Sequence, residues 1–200
     1  MRALNLGLSD WQLAALLQYL ELLLKWNRIY NLTAVRNPGE MVVRHLLDSL
    51  VISPWCIGQR FIDVGTGAGL PGVPLAILYP EKEFHLLDSN SKKTRFLFQV
   101  KTALALDNMT VHHARVETFK PIELYDAVLS RAFASLPDMV ASCRHLLHEA
   151  GQLLAMKGIL SAGELASVNA MGIKHVVHKL TVPGLNEQRH LVILSGKKCG

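Results

Sequence analysis

The apolar positions of the first fifty residues recur at helical spacing. Leu13, Leu16, Leu17, Leu20 and Leu24 form one stripe, because steps of three and four residues return to the same helix face. Trp11, Ala15, Tyr19, Leu22 and Trp26 form a second stripe. A helix apolar on two faces has to be covered on both, so this one is expected to pack between other elements. Ser9 and Gln12 spell a capping box at its start, with Leu8 and Leu13 at the staple positions. A second helix is expected to open at Asn37-Pro38-Gly39-Glu40, with Asn as cap and Pro in the first turn. It would turn Val42, Val43, Leu46, Leu47 and Leu50 inward and end near Pro54.

The period changes beyond Arg60. Short apolar runs at 61–64, 84–88, 109–112, 125–129 and 151–156 read as strands. Helical patterns lie between them. Residues 92–106 would bury Phe96, Val100, Ala103 and Leu104, and Ser135 would cap a helix running to about His148. Strands alternating with helices predict βαβ units and a parallel sheet. Two last strand-like runs, 174–182 and 190–194, are joined by a segment too short for a helix. They are expected to pair antiparallel, which puts one reversed strand in the sheet.

The chain has 200 residues, half of them hydrophobic, enough for one domain with its own core and against a disordered chain. Residues 1–59 read as a helical extension and 60–200 as one compact unit. No apolar run reaches the roughly 18 residues of a membrane span. Met1 to Asp10 holds one Arg and no long apolar stretch, an expectation against a signal peptide. Cys56, Cys143 and Cys199 are widely spaced and odd in number, which fits a reducing cytoplasm. The net charge of +5 hints at a polyanionic partner. Its layout says more. Residues 1–60 hold six basic against four acidic groups, residues 61–150 nine against ten, and residues 151–200 six against two. The surplus therefore lies at the two ends.

The most informative segment is Asp63-Val64-Gly65-Thr66-Gly67-Ala68-Gly69-Leu70-Pro71-Gly72. It follows the first strand at the sheet edge where open α/β folds bind ligands. Residues 67–72 formally spell the dinucleotide fingerprint G-x-G-x-x-G, but that register starts two residues too late. The alternative is acid-x-G-x-G-x-G through Asp63, Gly65, Gly67 and Gly69, the usual loop for S-adenosylmethionine. A carboxylate beside a pyrophosphate would repel it, whereas a sulfonium cofactor with a free amino group tolerates it. Asp88, at the end of the second strand, can accept ribose hydroxyls of either cofactor or cap the next helix.

Further strings extend over nearly the whole chain. They include Lys25-Trp26-Asn27, Tyr30-Asn31-Leu32-Thr33, Arg44-His45 with Asp48-Ser49, Leu87-Asp88-Ser89, Arg115-Val116-Glu117, Ser130-Arg131-Ala132-Phe133-Ala134 and Glu187-Gln188-Arg189-His190. With the glycine loop, they resemble the RsmG family of 16S rRNA guanine-N7 methyltransferases, also called glucose-inhibited division protein B (GidB). One departure is Ala68, where some relatives carry Pro. The resemblance implies a Rossmann-like class I S-adenosylmethionine-dependent methyltransferase: a seven-stranded, mostly parallel sheet, its last strand antiparallel, with an N-terminal helical extension. It implies methyl transfer to nitrogen 7 of a guanine of 16S ribosomal RNA, expected to be guanine 527. By the same resemblance Gly65 and Leu70 line the methionine part, Val116 and Glu117 flank the adenine, and Arg131 sits over the cofactor and the transfer site.

Taken on its own residues, Arg131 is a lone guanidinium at a strand's carboxyl end, suited to a carboxylate or phosphate or to an ion pair with Asp63 or Asp126. The place of an Asn/Asp-Pro-Pro-aromatic motif for exocyclic amines holds Ser130-Arg131-Ala132-Phe133 instead. Cys56 and Cys143 read as buried thiols and not as nucleophiles. Guanine N7 has a free lone pair and no proton, so its methylation needs no general base. Catalysis would then rest on positioning and electrostatics, with Arg131 the residue expected to act. Arg28, Arg36, Arg44, His45, Lys92, Lys93, Arg95, Lys157 and Arg189 face the expected ligand edge or extension as candidate RNA contacts, with Trp26, Tyr30 and Phe133 for stacking. His145 and His148 are expected on one helix face, and His175 and His178 on opposite faces of a strand; no metal is expected. A monomer acting on the small ribosomal subunit is expected, with no membrane partner. Another methyl acceptor, a nicotinamide oxidoreductase and a non-catalytic RNA-binding module are the alternatives.

Overall fold

The computed structural model describes residues 4, 6–131, 133 and 135–195. Seven strands form one sheet: β1 (Arg60–Val64), β2 (Glu83–Asp88), β3 (Met109–His113), β4 (Tyr125–Ser130), β5 (Leu147–Lys157), β6 (Lys174–Leu180) and β7 (Arg189–Ser195). Their order is β3-β2-β1-β4-β5-β7-β6. The pairs among β1 to β5 are parallel, and β7 runs antiparallel to both β5 and β6. The expected reversed strand is therefore β7. The chain reverses its spatial order at β1, so the carboxyl ends of β1 and β4 flank a switch point, where such sheets open a crevice for ligands.

Both faces of the sheet are covered. Phe61, Phe84 and Leu86 point to one side and pack against the helices Gly72–Leu78 and Ser91–Leu104 and the long N-terminal helix Asp10–Tyr30. Ile62, Val64 and Val128 point to the other and meet the helices Leu136–Cys143 and Ala162–Ala170. The N-terminal helix begins with the capping box predicted at Ser9 and Gln12. Its buried residues, Ala15, Leu16, Tyr19, Leu20, Leu23 and Asn27, form a single face. Trp11, Leu13 and Leu17 are exposed, which corrects the expectation that both stripes are covered. The helix lies on the outside of the layer, so its buried face takes Leu16 and Leu20 from one stripe and Ala15 and Tyr19 from the other, and the flanks of both stripes are left to solvent.

The second helix starts at its Asn37 cap but is not regular. It runs Pro38–Met41, passes through a π turn at Val42–Leu47 and closes as Asp48–Leu50. The π turn breaks the 3.6-residue period. His45, Leu46, Leu47, Asp48, Ser49 and Leu50 are consecutively buried, while Val42 and Val43 are only half-buried. The helix expected to reach His148 stops at Cys143, and β5 begins at Leu147. Leu147 pairs with Tyr125 and Gln152 with Ala127, so residues between them bulge from the ladder. His148 is thus on a strand, with Nε2 2.8 Å from Asp126 Oδ1, and shares no helix face with His145. The helix Ala162–Ala170 was missed by the periodicity, although Ser161 accepts from the Glu164 amide as an N-cap.

The N-terminal helix reaches the glycine loop directly. The buried Tyr19 hydroxyl donates to the Ala68 carbonyl at 2.8 Å. Tyr19→Phe leaves that carbonyl without its donor, so urea unfolding should show a loss of about 1–3 kcal/mol. Stability unchanged within about 0.5 kcal/mol, the level of an inert surface substitution, would show that the bond does not hold the loop.

Candidate functional site

The loop after β1 follows the register that starts at Asp63. Gly65, Gly67 and Gly69 have φ of 67°, 62° and 94°, a region that side chains rarely enter. Gly72 needs no such backbone; a Cβ there would lie 2.9 Å from Asp63 Oδ2. The loop is closed by its own hydrogen bonds. The amides of Gly65 and Thr66 donate to the Leu87 carbonyl, those of Gly69 and Leu70 to the Thr66 carbonyl, that of Gly67 to Asp88 and that of Gly72 to Asp63. A pyrophosphate cradle needs several free, convergent amides. With six of them already engaged, this loop does not provide one.

Asp63 is buried, and its Oδ2 accepts from Thr66 Oγ1 at 2.6 Å and from the Gly72 amide at 2.9 Å. Its Oδ1 has no partner among the described residues. Burial raises the carboxyl to about 7, opposed by the Thr66 and Gly72 hydrogen bonds and by the charge of Arg131. Asp88 accepts from the Asn90 amide through Oδ1, and from the Gly67 amide through Oδ2, with Lys93 Nζ 3.5 Å away. It therefore braces the loop and the next helix together.

A cavity of about 340 Å³ opens beside these residues. Gly65, Asp88, Lys93, Val116, Glu117 and Phe133 are on its wall. Four of the residues expected to hold a cofactor, Gly65, Asp88, Val116 and Glu117, thus come together. Asp63, Gly67 and Leu70 lie behind the wall as the loop's frame. Lys93, expected on the RNA side, belongs to this cavity. Arg115, Ser89 and Ala114 also line it; they follow the ends of β2 and β3, which is the signal by which sequence reading finds them.

Arg131 lies on a second cavity, of about 270 Å³, with Asp48, Met156, Lys157, Gly158 and Arg189. Its Nη1 donates to Asp48 Oδ2 at 3.1 Å and to the Arg44 carbonyl at 3.4 Å. The expected ion pair with Asp63 or Asp126 is not formed: Asp126 lies at the far end of β4 and binds the Gln59 and Arg60 amides and His148. Arg189 Nε donates to Asp48 Oδ1 at 3.0 Å, and Glu187 bridges Arg189 and Arg44 at 3.1 and 2.6 Å. Lys157 pairs with Glu164 at 2.9 Å. His45 is buried, with Nε2 3.0 Å from Thr33 Oγ1, and burial lowers it to about 4, so it is neutral at physiological pH. Arg36 and Arg28 share a surface hollow with Asn27 on the extension, and Lys92 and Arg95 stand exposed on the first turns of Ser91–Leu104. Ala132 and Ala134 of the sequence string fall outside the described residues. Among the described residues no three His, Cys, Asp or Glu cluster as metal ligands, and no helix is long and apolar enough to cross a membrane.

Residues 12–192 match the model of the GidB family, described as rRNA small subunit methyltransferase G. A protein of Aliivibrio fischeri with the name Ribosomal RNA small subunit methyltransferase G is 54% identical over 195 residues, 97% of this chain and 93% of its own. One of Salmonella typhimurium with the same name is 51% identical over 97% of this chain and 94% of its own. Among solved structures, the glycopeptide N-methyltransferase MtfA complexed with S-adenosyl-L-methionine superposes with a TM-score of 0.62 at 11% identity, covering 75% of this chain and 86% of that one. A ribosomal protein L11 methylase of Lactobacillus delbrueckii gives 0.58 at 14% identity, covering 76% and 77%. The fold is that of the class I S-adenosylmethionine-dependent methyltransferases.

The raised Asp63 carboxyl has a measurable consequence. The folded protein holds this proton more tightly than the unfolded chain, whose carboxyl titrates near 4. The stabilisation is complete below that value and is lost as pH rises through about 7. The buried His45 and the half-buried His85, both lowered to about 4, act in the opposite sense, so the test is a difference: between pH 5 and 8 the melting temperature of Asp63→Asn relative to the native protein should rise with pH. Parallel slopes would show that Asp63 does not titrate there.

Proposed function

The chain belongs to the rRNA small subunit methyltransferase G family, and from that membership we propose that it transfers a methyl group from S-adenosylmethionine to nitrogen 7 of a guanine of 16S ribosomal RNA, expected to be guanine 527. The observation that carries the reading is the pair of cavities at the carboxyl end of β4. One is framed by the glycine loop, and the other is lined by Arg131, Lys157 and Arg189. The first suits the cofactor and the second an anionic polymer.

The residues present fit S-adenosylmethionine. The unpartnered, buried Asp63 Oδ1 suits a cationic amino group at the loop. Asp88 offers its carboxylate to ribose hydroxyls, and Val116 and Glu117 stand where an adenine would be flanked. When bound, the cofactor supplies an electrophilic sulfonium methyl. Guanine N7 attacks through its own lone pair, so no side chain has to remove a proton. The protein's part is to hold the two reactants in line and dry, which accounts for large rate factors without acid–base chemistry. Arg131 is the catalytic residue in this reading: its guanidinium lines the second cavity, beside the end of β4, where it can orient the base or its phosphate.

The RNA would lie across Arg36 and Arg44 of the extension and Arg189 at the start of β7, with Lys92, Arg95 and Lys157 at the sheet edge; His45, buried against Thr33, and Lys93, on the cofactor cavity, drop out of that set. Arg44 and Arg189 are held by Glu187, so phosphates would have to compete with that carboxylate. The same reading sets the work in the cytoplasm, on the small ribosomal subunit, by a monomer.

Incubation of small subunits lacking the modification with methyl-labelled cofactor should place one label per 16S RNA, and mass mapping should find it on guanine N7. A label on another base or atom would overturn the assignment. Arg131→Ala should lower the transfer rate by at least about tenfold, within the range for loss of a charged transition-state donor, while cofactor affinity in calorimetry stays near that of the native protein. Unchanged values for both would remove Arg131 from the site.

A further inference from the structure

Asp48 has no part in the transfer described above, yet its side chain accepts from two arginines beside it. It is buried at the end of the π-turned helix, 5% exposed, and it faces the second cavity. Three remote segments meet on it: its own helix, Arg131 after β4, and Arg189 at the start of β7. Each carboxylate oxygen accepts one guanidinium bond, at 3.1 and 3.0 Å. A carboxylate has about four lone-pair sites, so each oxygen keeps one acceptor direction. The two arginines offset the charge of the buried carboxylate without saturating it.

We propose that the cavity of Asp48, Arg131, Met156, Lys157, Gly158 and Arg189 receives the target guanine, and that the Asp48 carboxylate reads its N1–H and N2–H donors. The proposal rests on the guanine N7 reading and adds the device that selects the base. Enzymes that modify a base take it out of the stack and read its Watson–Crick edge in a pocket. Guanine presents two neighbouring donors on that edge, which match the two oxygens of a carboxylate. Adenine presents a donor beside an acceptor, and uracil one donor between two acceptors, so each would set a lone pair against the carboxylate. Guanine held by this edge also keeps N7 free on its opposite side. The Met156 side chain, nearly buried, supplies an apolar contact for the ring. The cofactor cavity lies across the end of β4, with Arg131 on one wall and Phe133 on the other two residues along. A base in the Asp48 cavity therefore has the glycine-loop side of the sheet as its neighbour.

The test combines one change in the protein with one in the RNA. Inosine keeps N1–H and lacks the N2 amino group. Small subunits are reconstituted with 16S RNA carrying guanine or inosine at the mapped position, and single-turnover methyl transfer is measured. The native protein should lose about tenfold on inosine, the scale of one base-edge contact. Asp48→Asn should lose about tenfold on guanine and should then show no further loss on inosine. Its affinity for S-adenosylhomocysteine should be unchanged, which checks that it folds. Equal rates on guanine and inosine for the native protein would overturn the proposal, and so would losses that simply multiply. If Asp48→Asn does not fold, the inosine result with native protein decides. A label that maps away from guanine N7 on unmodified RNA would instead sink the underlying reading, before either substitution is made.

Discussion

The glycine loop between β1 and its following helix uses its backbone donors on itself, on Asp63 and on the end of β2, and the site depends on that constraint. The Gly65 and Thr66 amides bind Leu87, the Gly67 amide binds Asp88, and the Gly72 amide binds Asp63. Each bond crosses from β1 to β2 or folds the loop back on its own strand. The loop is thereby shaped before any ligand arrives, and it presents the Asp88 carboxylate to the cavity, with Asp63 just behind the wall, in place of free amides. An anionic pyrophosphate gains little from such a surface, whereas a cofactor with an amino group and ribose hydroxyls finds acceptors there. Preorganisation of this kind lowers the ordering cost of binding.

The second determinant is the manner in which the ends of the chain return to the sheet. The N-terminal helix supplies Tyr19 to the Ala68 carbonyl. The π-turned helix supplies Asp48 to Arg131 and Arg189, and Glu187 ties Arg189 to Arg44. The basic surplus of the two ends is thus drawn around a few carboxylates beside β4 and β5. Charges held in this way have fixed directions, which a solvated basic face lacks. That geometry suits a task that is mostly orientation.

Much of this was legible in the chain. The five parallel strands and the reversed β7 followed from apolar runs and from the short link 183–189. The register of the loop followed from Asp63 lying next to β1, and the positive φ of Gly65, Gly67 and Gly69 agrees with it. The capping boxes of local sequence were equally plain at Ser9. What periodicity could not give was decided by contacts far apart in sequence. From within the π turn at Val42–Leu47 onward, His45 to Leu50 are buried in succession, so no helical period marks the segment. The bulge of β5 carries His148 onto a strand to meet Asp126, 22 residues away. Arg131 was legible as an isolated guanidinium, but its partner was not, since Asp48 is 83 residues away. Lys93 read as an RNA contact, because the cavity it lines is completed only by Val116 and Glu117 of a distant segment.

That the loop's internal hydrogen bonding selects a sulfonium cofactor over a dinucleotide is open to direct calorimetry. The purified protein is titrated with S-adenosylhomocysteine and, separately, with NADH. One S-adenosylhomocysteine should bind per chain, and saturating NADH should neither bind nor displace it. NADH binding of equal strength, competing for the same place, would contradict the selection.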